Sequence, residues 1–503
     1  MRKRQAGILL PVFSLPGPYG MGSLGSFAYQ FIDALAQANQ SIWQILPLCP
    51  PGYGGSPYSS QSAQAGNPLF IDLDNLMKRG WIEASQLQGL DWEAQSPYID
   101  YEAVSQSKHQ ALRYAYATFC AHVSRDSFEQ FRASNPWVRD YALFLALSHE
   151  FKHKPWQEWP KELSHREPQA LARVTADLRE EIEFHEFCQW VFETQWNELH
   201  DYATGKGIKI LGDIPIYVSL DSADTWANPQ LFQLGSDFYP EKVAGVPPDG
   251  FSATGQIWGN PLYDWPAHQR SDFSWWKERI GRQLQRVDIL RIDHFRGLES
   301  YFAIPADATS AVAGTWEPGP GIDFFTALEK QLGTLPLVLE DLGYLTPAVE
   351  DLRNATGQPG IQLIQFAFDS REPADYWPHE IPKNSVVYTG THDNDTLQGW
   401  FASLAPEDQE LARIYCGASH TAIEDMPQCF IARAMTSVAD TCIIPAADYL
   451  GLDSSARINT PGQMQGNWGW RLSQSDWNAY PWDEIAQLTA ISGRAPGTHH
   501  TQH

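Results

Sequence analysis

Apolar residues along this chain gather into short runs closed by Gly, Pro or Asp, the pattern of strands buried on both faces. Eight runs stand out: 8–15 (ILLPVFSL), 42–48 (IWQILPL), 208–218 (IKILGDIPIYV), 289–295 (ILRIDHF), 336–342 (PLVLEDL), 361–368 (IQLIQFAF), 385–391 (SVVYTGT) and 442–448 (CIIPAAD). Between several of them the apolar positions recur at helical spacing, at 26–39, 273–287, 323–332 and 405–415. Eight strands alternating with helices specify the α/β class, and a (β/α)8 TIM barrel more readily than a doubly wound sheet. The interval 50–207 is too long for a loop and holds helical stretches at 105–122 and 169–200, so it reads as an inserted, mainly helical subdomain between strands two and three. The segments 219–270 and 296–320 are rich in Gly, Pro and aromatic residues and read as loops over one face of a single barrel spanning 1–503.

Composition narrows the partners. Sixty Asp and Glu against 35 Lys and Arg give a formal charge of −25, which argues against nucleic acid or an anionic membrane and fits a neutral ligand. No run reaches the roughly 18–20 apolar residues of a membrane span. Arg2, Lys3 and Arg4 before the 8–15 run mimic a secretion signal, but Pro11 and Pro16 interrupt it, so the run reads as a first strand. The six cysteines are scattered without a CxxC, which predicts reduced thiols in a cytoplasmic compartment. Twenty Trp, 20 Tyr and 24 Phe are mostly core, with some available to stack on flat ligand faces.

Three of the runs end in carboxylates: Asp293 (ILRIDHFRG, 289–297), Glu340 (PLVLEDLG, 336–343) and Asp393 (VVYTGTHDNDT, 386–396). Strand ends are where a parallel α/β protein presents chemistry. One acidic pocket without metal-ligand spacing is what cleavage of a glycosidic bond requires. Strand alternation places Arg291 and Asp293 on one face, where the guanidinium lowers the carboxyl pKa and keeps an anion suited to attack an anomeric carbon. The plain alternative, a buried structural ion pair, stays equally open for that motif alone. Glu340 follows Leu337, Val338 and Leu339, and apolar surroundings raise its pKa, as a proton donor to a leaving oxygen needs. Asp341 beside it points the other way, toward a sugar hydroxyl or a backbone cap. Asp213, in ILGDIPIYV, is a fourth acid near the pocket or an orienter of Arg291.

Two tempting motifs fail on context. Gly20-x-Gly22-x-x-Gly25 has a dinucleotide layout, but the second strand ends Leu46-Pro47-Leu48-Cys49 without the required acid, so the glycines make a tight turn. His392-Asp393-Asn394-Asp395 opens like a calcium loop but lacks the downstream Gly and Glu, so no metal is expected. Aromatic Gly-rich loops, 52–58 with Ser56 and Tyr58 and 247–261 with Asp249, Gln256 and Trp258, should sit on the catalytic face, with Tyr58 and Trp258 as stacking platforms.

Together the segments SLPGPYGMGSLG (14–25), GYGGSPY (52–58), LGDIPIYV (211–218), PPDGFSATGQIWGNPLYDW (247–265), LRIDHFRGL (290–298), LEDLG (339–343), TGTHDNDT (389–396), RINTPG (457–462) and GNWGWR (466–471) resemble the amylomaltases. These are 4-α-glucanotransferases of glycoside hydrolase family 77 in the α-amylase superfamily. The resemblance covers almost the whole chain in family order. It implies Asp293 as nucleophile, Glu340 as general acid/base and Asp393 as transition-state stabiliser. It implies α-1,4-glucan contacts at Tyr58, Asp213, Arg291, His294 and His392, to which Ser56, Asp249, Gln256, Asp341 and Asn459 are added as candidates. Trp258 and the 219–270 segment would lie over the bound glucan. It also implies a barrel without a C-terminal β-domain, no cofactor, and a monomer or weak homo-oligomer. Glu317, in AVAGTWEPGPG (311–321), departs from the family, where an apolar or basic residue is expected. The expected reaction is retaining transfer, with carboxyls about 5–5.5 Å apart. The rivals are a hydrolase on the same scaffold and a glucan-binding protein without activity.

Overall fold

The computed structural model describes residues 4–93, 96–248, 254–343, 345–370, 377–463 and 465–497. Twelve strands form there: β1 (Gln5–Leu9), β2 (Ile42–Gln44), β3 (Lys209–Ile214), β4 (Lys242–Val246), β5 (Gln256–Pro261), β6 (Ile289–Ile292), β7 (Ser300–Pro305), β8 (Thr315–Pro318), β9 (Leu337–Leu339), β10 (Gly360–Leu363), β11 (Ser385–Tyr388) and β12 (Thr441–Pro445). Eight of them close into a parallel barrel in the order β1-β2-β3-β6-β9-β10-β11-β12. They fall on the eight runs that the sequence marks, most of them shortened and the first shifted toward the N-terminus. Pro215 follows β3 directly, and β10 gives way to a 3-10 turn at Gln365–Phe368. The first strand lies at 5–9 rather than 8–15, because Val12–Ser14 turns away after Pro11. β2, β9 and β11 are buried throughout, as strands between a filled barrel and a ring of helices must be. Gly7 in β1 is required sterically, since a Cβ there would lie 2.5 Å from the Ile42 carbonyl oxygen. Inside the barrel Tyr388 donates its hydroxyl proton to Gln44 Oε1 at 2.8 Å.

Between β2 and β3 the chain is helical, with helices at Tyr101–His122, Asp126–Ser134, Trp137–Glu150, Pro168–Asp177 and Arg179–Gly205 among others. The stretch read as one helix at 169–200 breaks at Leu178, which has φ −101° and ψ 21°. Arg179–Gly205 packs on Ser26–Gln37 and leads into β3, so it serves as the barrel's crossover helix as well. A second apolar cluster, including Phe144, Trp156, Trp159 and Trp226, lies apart from the barrel core.

The segments read as loops at 219–270 and 296–320 contain regular structure. β4, β5, β7 and β8 pair antiparallel in the order β5-β4-β7-β8. Glu317 is accommodated there, its carboxylate accepting from Lys242 Nζ at 2.6 Å and from the Tyr301 hydroxyl at 2.9 Å. After β12 the described chain forms helices and loops, with no further strand. No helix of the described residues is long and apolar enough to cross a membrane.

Candidate active site

Three neighbouring barrel strands, β3, β6 and β9, bring Asp213, Arg291, Asp293 and Glu340 to the C-terminal face, where barrel sites are built. Strand register sets Asp213 beside Arg291. The Arg291 guanidinium is 2.6 Å from Asp213 Oδ2 and 3.0 Å from Asp293 Oδ1, one fork bridging two carboxylates. Asp293 N donates to the Ile214 carbonyl at 3.0 Å, fixing the carboxylate's origin just past β6. His294 takes a left-handed backbone with φ 53°, and its N–H donates to Glu340 Oε2 at 2.7 Å. Phe295 N also donates to the Glu340 carbonyl at 3.0 Å, and Leu342 N to Glu340 Oε1 at 3.1 Å. The residue after Asp293 thus holds the side chain of Glu340. Unfavourable backbone at a non-glycine is stored where such geometry is needed.

Burial raises the Asp293 carboxyl well above the usual carboxylate range; Arg291 opposes it, while Asp213, Glu340 and Asp393 reinforce it. The expectation that Arg291 alone would hold Asp293 low is therefore corrected: desolvation and three neighbouring acids outweigh one guanidinium. Glu340 is raised as well, by burial first, against Arg291 and its two backbone donors. Two raised acids facing each other titrate as one pair and retain a proton to higher pH than either would alone. His294 is pushed down to about 4 by burial, and burial lowers His392 too, so both rings are neutral at neutral pH.

Asp393 enters from the loop after β11. Its side chain is 39 % exposed, the most open of the acids in this cluster. Asn459 Nδ2 donates to Asp393 Oδ1 at 2.6 Å, and an Arg457 nitrogen donates to the Asp393 carbonyl at 2.7 Å. Arg457 Nε reaches the Asn459 carbonyl at 2.8 Å, tying the two supports together. Asn394 Oδ1 accepts from Thr391 N and Oγ1, a side-chain turn that shapes the loop around Asp393. Among the described residues no group of three or more His, Cys, Asp or Glu is placed to hold a metal. His392 stacks on Tyr58 with centroids 5.2 Å apart and planes 10° from parallel, and Tyr58 donates its hydroxyl proton to Asp213 Oδ2 at 2.7 Å.

The candidate sugar contacts divide. Tyr58, His294, His392 and Arg291 gather with the carboxylates. Ser56 Oγ accepts from Tyr58 N at 3.2 Å and sets that ring's approach. Trp258 is 36 % exposed, stands edge-on to His294 at 4.8 Å and donates to Gln256 Oε1 at 3.2 Å. Three further candidates are bonded to groups of the protein itself, and for Asp213 and Asp341 these are the alternatives that the sequence left open. Asp213 has no exposed side-chain surface and is bonded to Arg291 and to the Tyr58 hydroxyl. Asp341 points away from the pocket, to Arg353 and to Ile361 N at 2.8 Å. Asn459 touches Asp393, as a support for that acid. Asp249 lies outside the described residues. Sequence reasoning missed Arg457, although it opens the RINTPG segment; nothing in periodicity says that its guanidinium caps a carbonyl 64 residues away.

A family model described as 4-alpha-glucanotransferase matches residues 10–476. The chain is 44 % identical over 499 residues to a 4-alpha-glucanotransferase of Synechocystis sp., covering 98 % of each. It is 44 % identical over 478 residues to that of Thermus thermophilus, covering 93 % of this chain and 95 % of the relative. An amylomaltase from Streptococcus agalactiae in complex with acarbose superposes with a TM-score of 0.95 at 38 % identity, covering 98 % of this chain and 100 % of that one.

Proposed function

We propose a reaction course from one premise: the chain belongs to the 4-alpha-glucanotransferases of glycoside hydrolase family 77. As a member it acts on α-1,4-glucans, moving a glucan segment from donor to acceptor. In the proposed course Asp293 Oδ attacks the anomeric carbon while Glu340 gives its proton to the departing O4, so the C1–O4 bond breaks as the C1–Oδ bond forms. A β-glycosyl-enzyme results. An acceptor glucan then enters, Glu340 takes the proton from its 4-OH, the new O4–C1 bond forms from the α face, and Asp293 leaves. Two inversions restore the α linkage. Asp393, exposed and anchored by Asn459, faces the positive charge that develops on the sugar ring. Tyr58, His392, Arg291 and His294 line the same pocket, and Trp258 offers a flat ring at its rim.

The observation that carries this course is the division of support between the two central acids. Asp293 is bonded to a guanidinium, and Glu340 is held by the backbone of the residue that follows Asp293. Arg291 favours the anion at Asp293 against its burial, and Glu340 stands beside it with its own carboxyl raised by burial.

Incubation with maltotriose tests it. Transfer yields glucose and longer oligosaccharides at constant reducing power, whereas hydrolysis raises reducing ends and would overturn it. Asp293→Asn and Glu340→Gln are each expected to lower turnover by about three orders of magnitude or more while the protein stays folded. With α-maltosyl fluoride, whose leaving group needs no proton, Glu340→Gln should regain the first step and Asp293→Asn should not. Near-normal turnover in either variant removes that residue's role.

A further inference from the structure

Asp448 lies three residues past β12 and closes the eighth apolar run, the kind of position that marks Asp293 and Glu340, yet the reaction course gives it no part. It is 2 % exposed. Oδ2 accepts from Thr389 Oγ1 at 2.6 Å, and Oδ1 accepts from Leu397 N at 2.8 Å. Thr389 is the first residue after β11, and Leu397 is the first residue of the helix Leu397–Ser403. The two contacts therefore fall at either end of the loop that carries His392 and Asp393.

We infer that Asp448 is a positioning residue for glucan transfer: one carboxylate from the turn of helix after β12 clamps both ends of the 389–397 loop and so fixes where Asp393 stands. The inference rests on the reading of Asp393 as the acid that stabilises the transition state. Asp448, His392, Asp395 and Arg457, with apolar residues such as Leu9, Ile458 and Trp470, border a small cavity behind the loop, so packing there is incomplete and the directed hydrogen bonds carry part of the hold. Further ties agree with this. Gln365 Nε2 donates to the Asp395 carbonyl at 2.8 Å, and Asn459 and Arg457 grip Asp393 from the outer side. A carboxylate accepting from two separated donors fixes their mutual distance, which a single hydrogen bond cannot do. Transition-state stabilisation by a charge is lost with small displacements, whereas substrate binding spread over many contacts is not.

Maltotriose disproportionation by wild type, D448A, D448N, T389V and D393N, each normalised to the folded fraction from thermal melting, tests this. D448A is expected to lose about 30- to 100-fold in kcat with KM within about two-fold, the signature of an interaction made in the transition state. D448N should stay within about five-fold, because its amide oxygen still accepts from Leu397 N and its amide nitrogen donates to Thr389 Oγ1. T389V should lose about three- to ten-fold in kcat alone and decides the matter if D448A fails to fold. With α-maltosyl fluoride as donor, D448A in the D393N background should cost less than about three-fold more than D393N alone, since a residue acting through Asp393 has nothing left to position. Unimpaired kcat in T389V, a KM rise matching the kcat loss, D448N as poor as D448A, or losses that multiply in the double variant would each overturn the clamp. D393N with near-normal turnover would instead remove the reading of Asp393.

Discussion

Asn459 and Asp393 are separated by 66 residues in sequence and by 2.6 Å in space, and the contact gives the most exposed of the clustered acids a fixed direction. A hydrogen bond to a charged group contributes about 1.5–3 kcal/mol. If that energy serves the transition state, Asn459→Ala should lower kcat for maltotriose about 10- to 100-fold, with KM nearly unchanged. A rise in KM at constant kcat would return Asn459 to the sugar contacts. At this scale the acids proposed as catalytic stand out in the sequence because each ends an apolar run, and a strand end in a parallel barrel faces the site. Their partners were not. The Arg291–Asp293 proximity follows from strand alternation, but the net push on Asp293 depends on Asp213, Glu340 and Asp393 arriving from elsewhere in the chain.

Among the elements, β9 and β10 meet through few backbone contacts, with Gly360 registered on Leu339. Asp341 supplies what the ladder lacks: its carboxylate accepts from Ile361 N at the start of β10 and from Arg353 on the helix Pro347–Thr356. Gly360 leaves the room, since a Cβ there would lie 2.4 Å from Asp341 Oδ2. Asp341→Ala should therefore destabilise by about 1–3 kcal/mol in urea unfolding, the cost of a buried unpaired donor, while KM for maltotriose stays constant. Unchanged stability with a raised KM would contradict that account. The small sheet β5-β4-β7-β8 was invisible to pattern reading for a related reason. β5 and β8 are largely exposed, so they carry no clean alternation, and the sheet is joined at its centre by β4 and β7, which pair across about 60 residues of sequence, Lys242 on Pro305 and Gly245 on Phe302. Helix boundaries fared better wherever Pro or Gly punctuates them; Leu178 breaks a helix without either.

For the molecule as a whole, buried histidines set an acid limit. His268 is fully buried among Tyr263, Trp265 and Trp275, and burial pushes it down to about 4. An unfolded histidine titrates near 6.5, so between the two values the unfolded chain binds more protons and stability falls as pH drops. His268 alone would account for at most about 3 kcal/mol lost from pH 6.5 to 4, with His294 adding in the same window. His268→Gln should flatten the decline of the melting temperature over that range relative to wild type. A parallel decline in both proteins would show that other groups carry the acid sensitivity.

By itself the sequence determined the eight strands, the barrel and the face on which the chemistry sits, because burial on two sides forces continuous apolar runs and the barrel puts every strand end at one mouth. It also marked the carboxylates, since charge at the end of an apolar run is costly unless the site uses it. Tertiary structure alone decided which acids face the pocket and which brace it. Asp213, Asp341 and Asp448 all end or follow such runs, but hydrogen-bond partners from distant segments turn each toward a guanidinium, a strand or a loop. Side-chain direction at a strand end is set by those partners, and no local pattern encodes them.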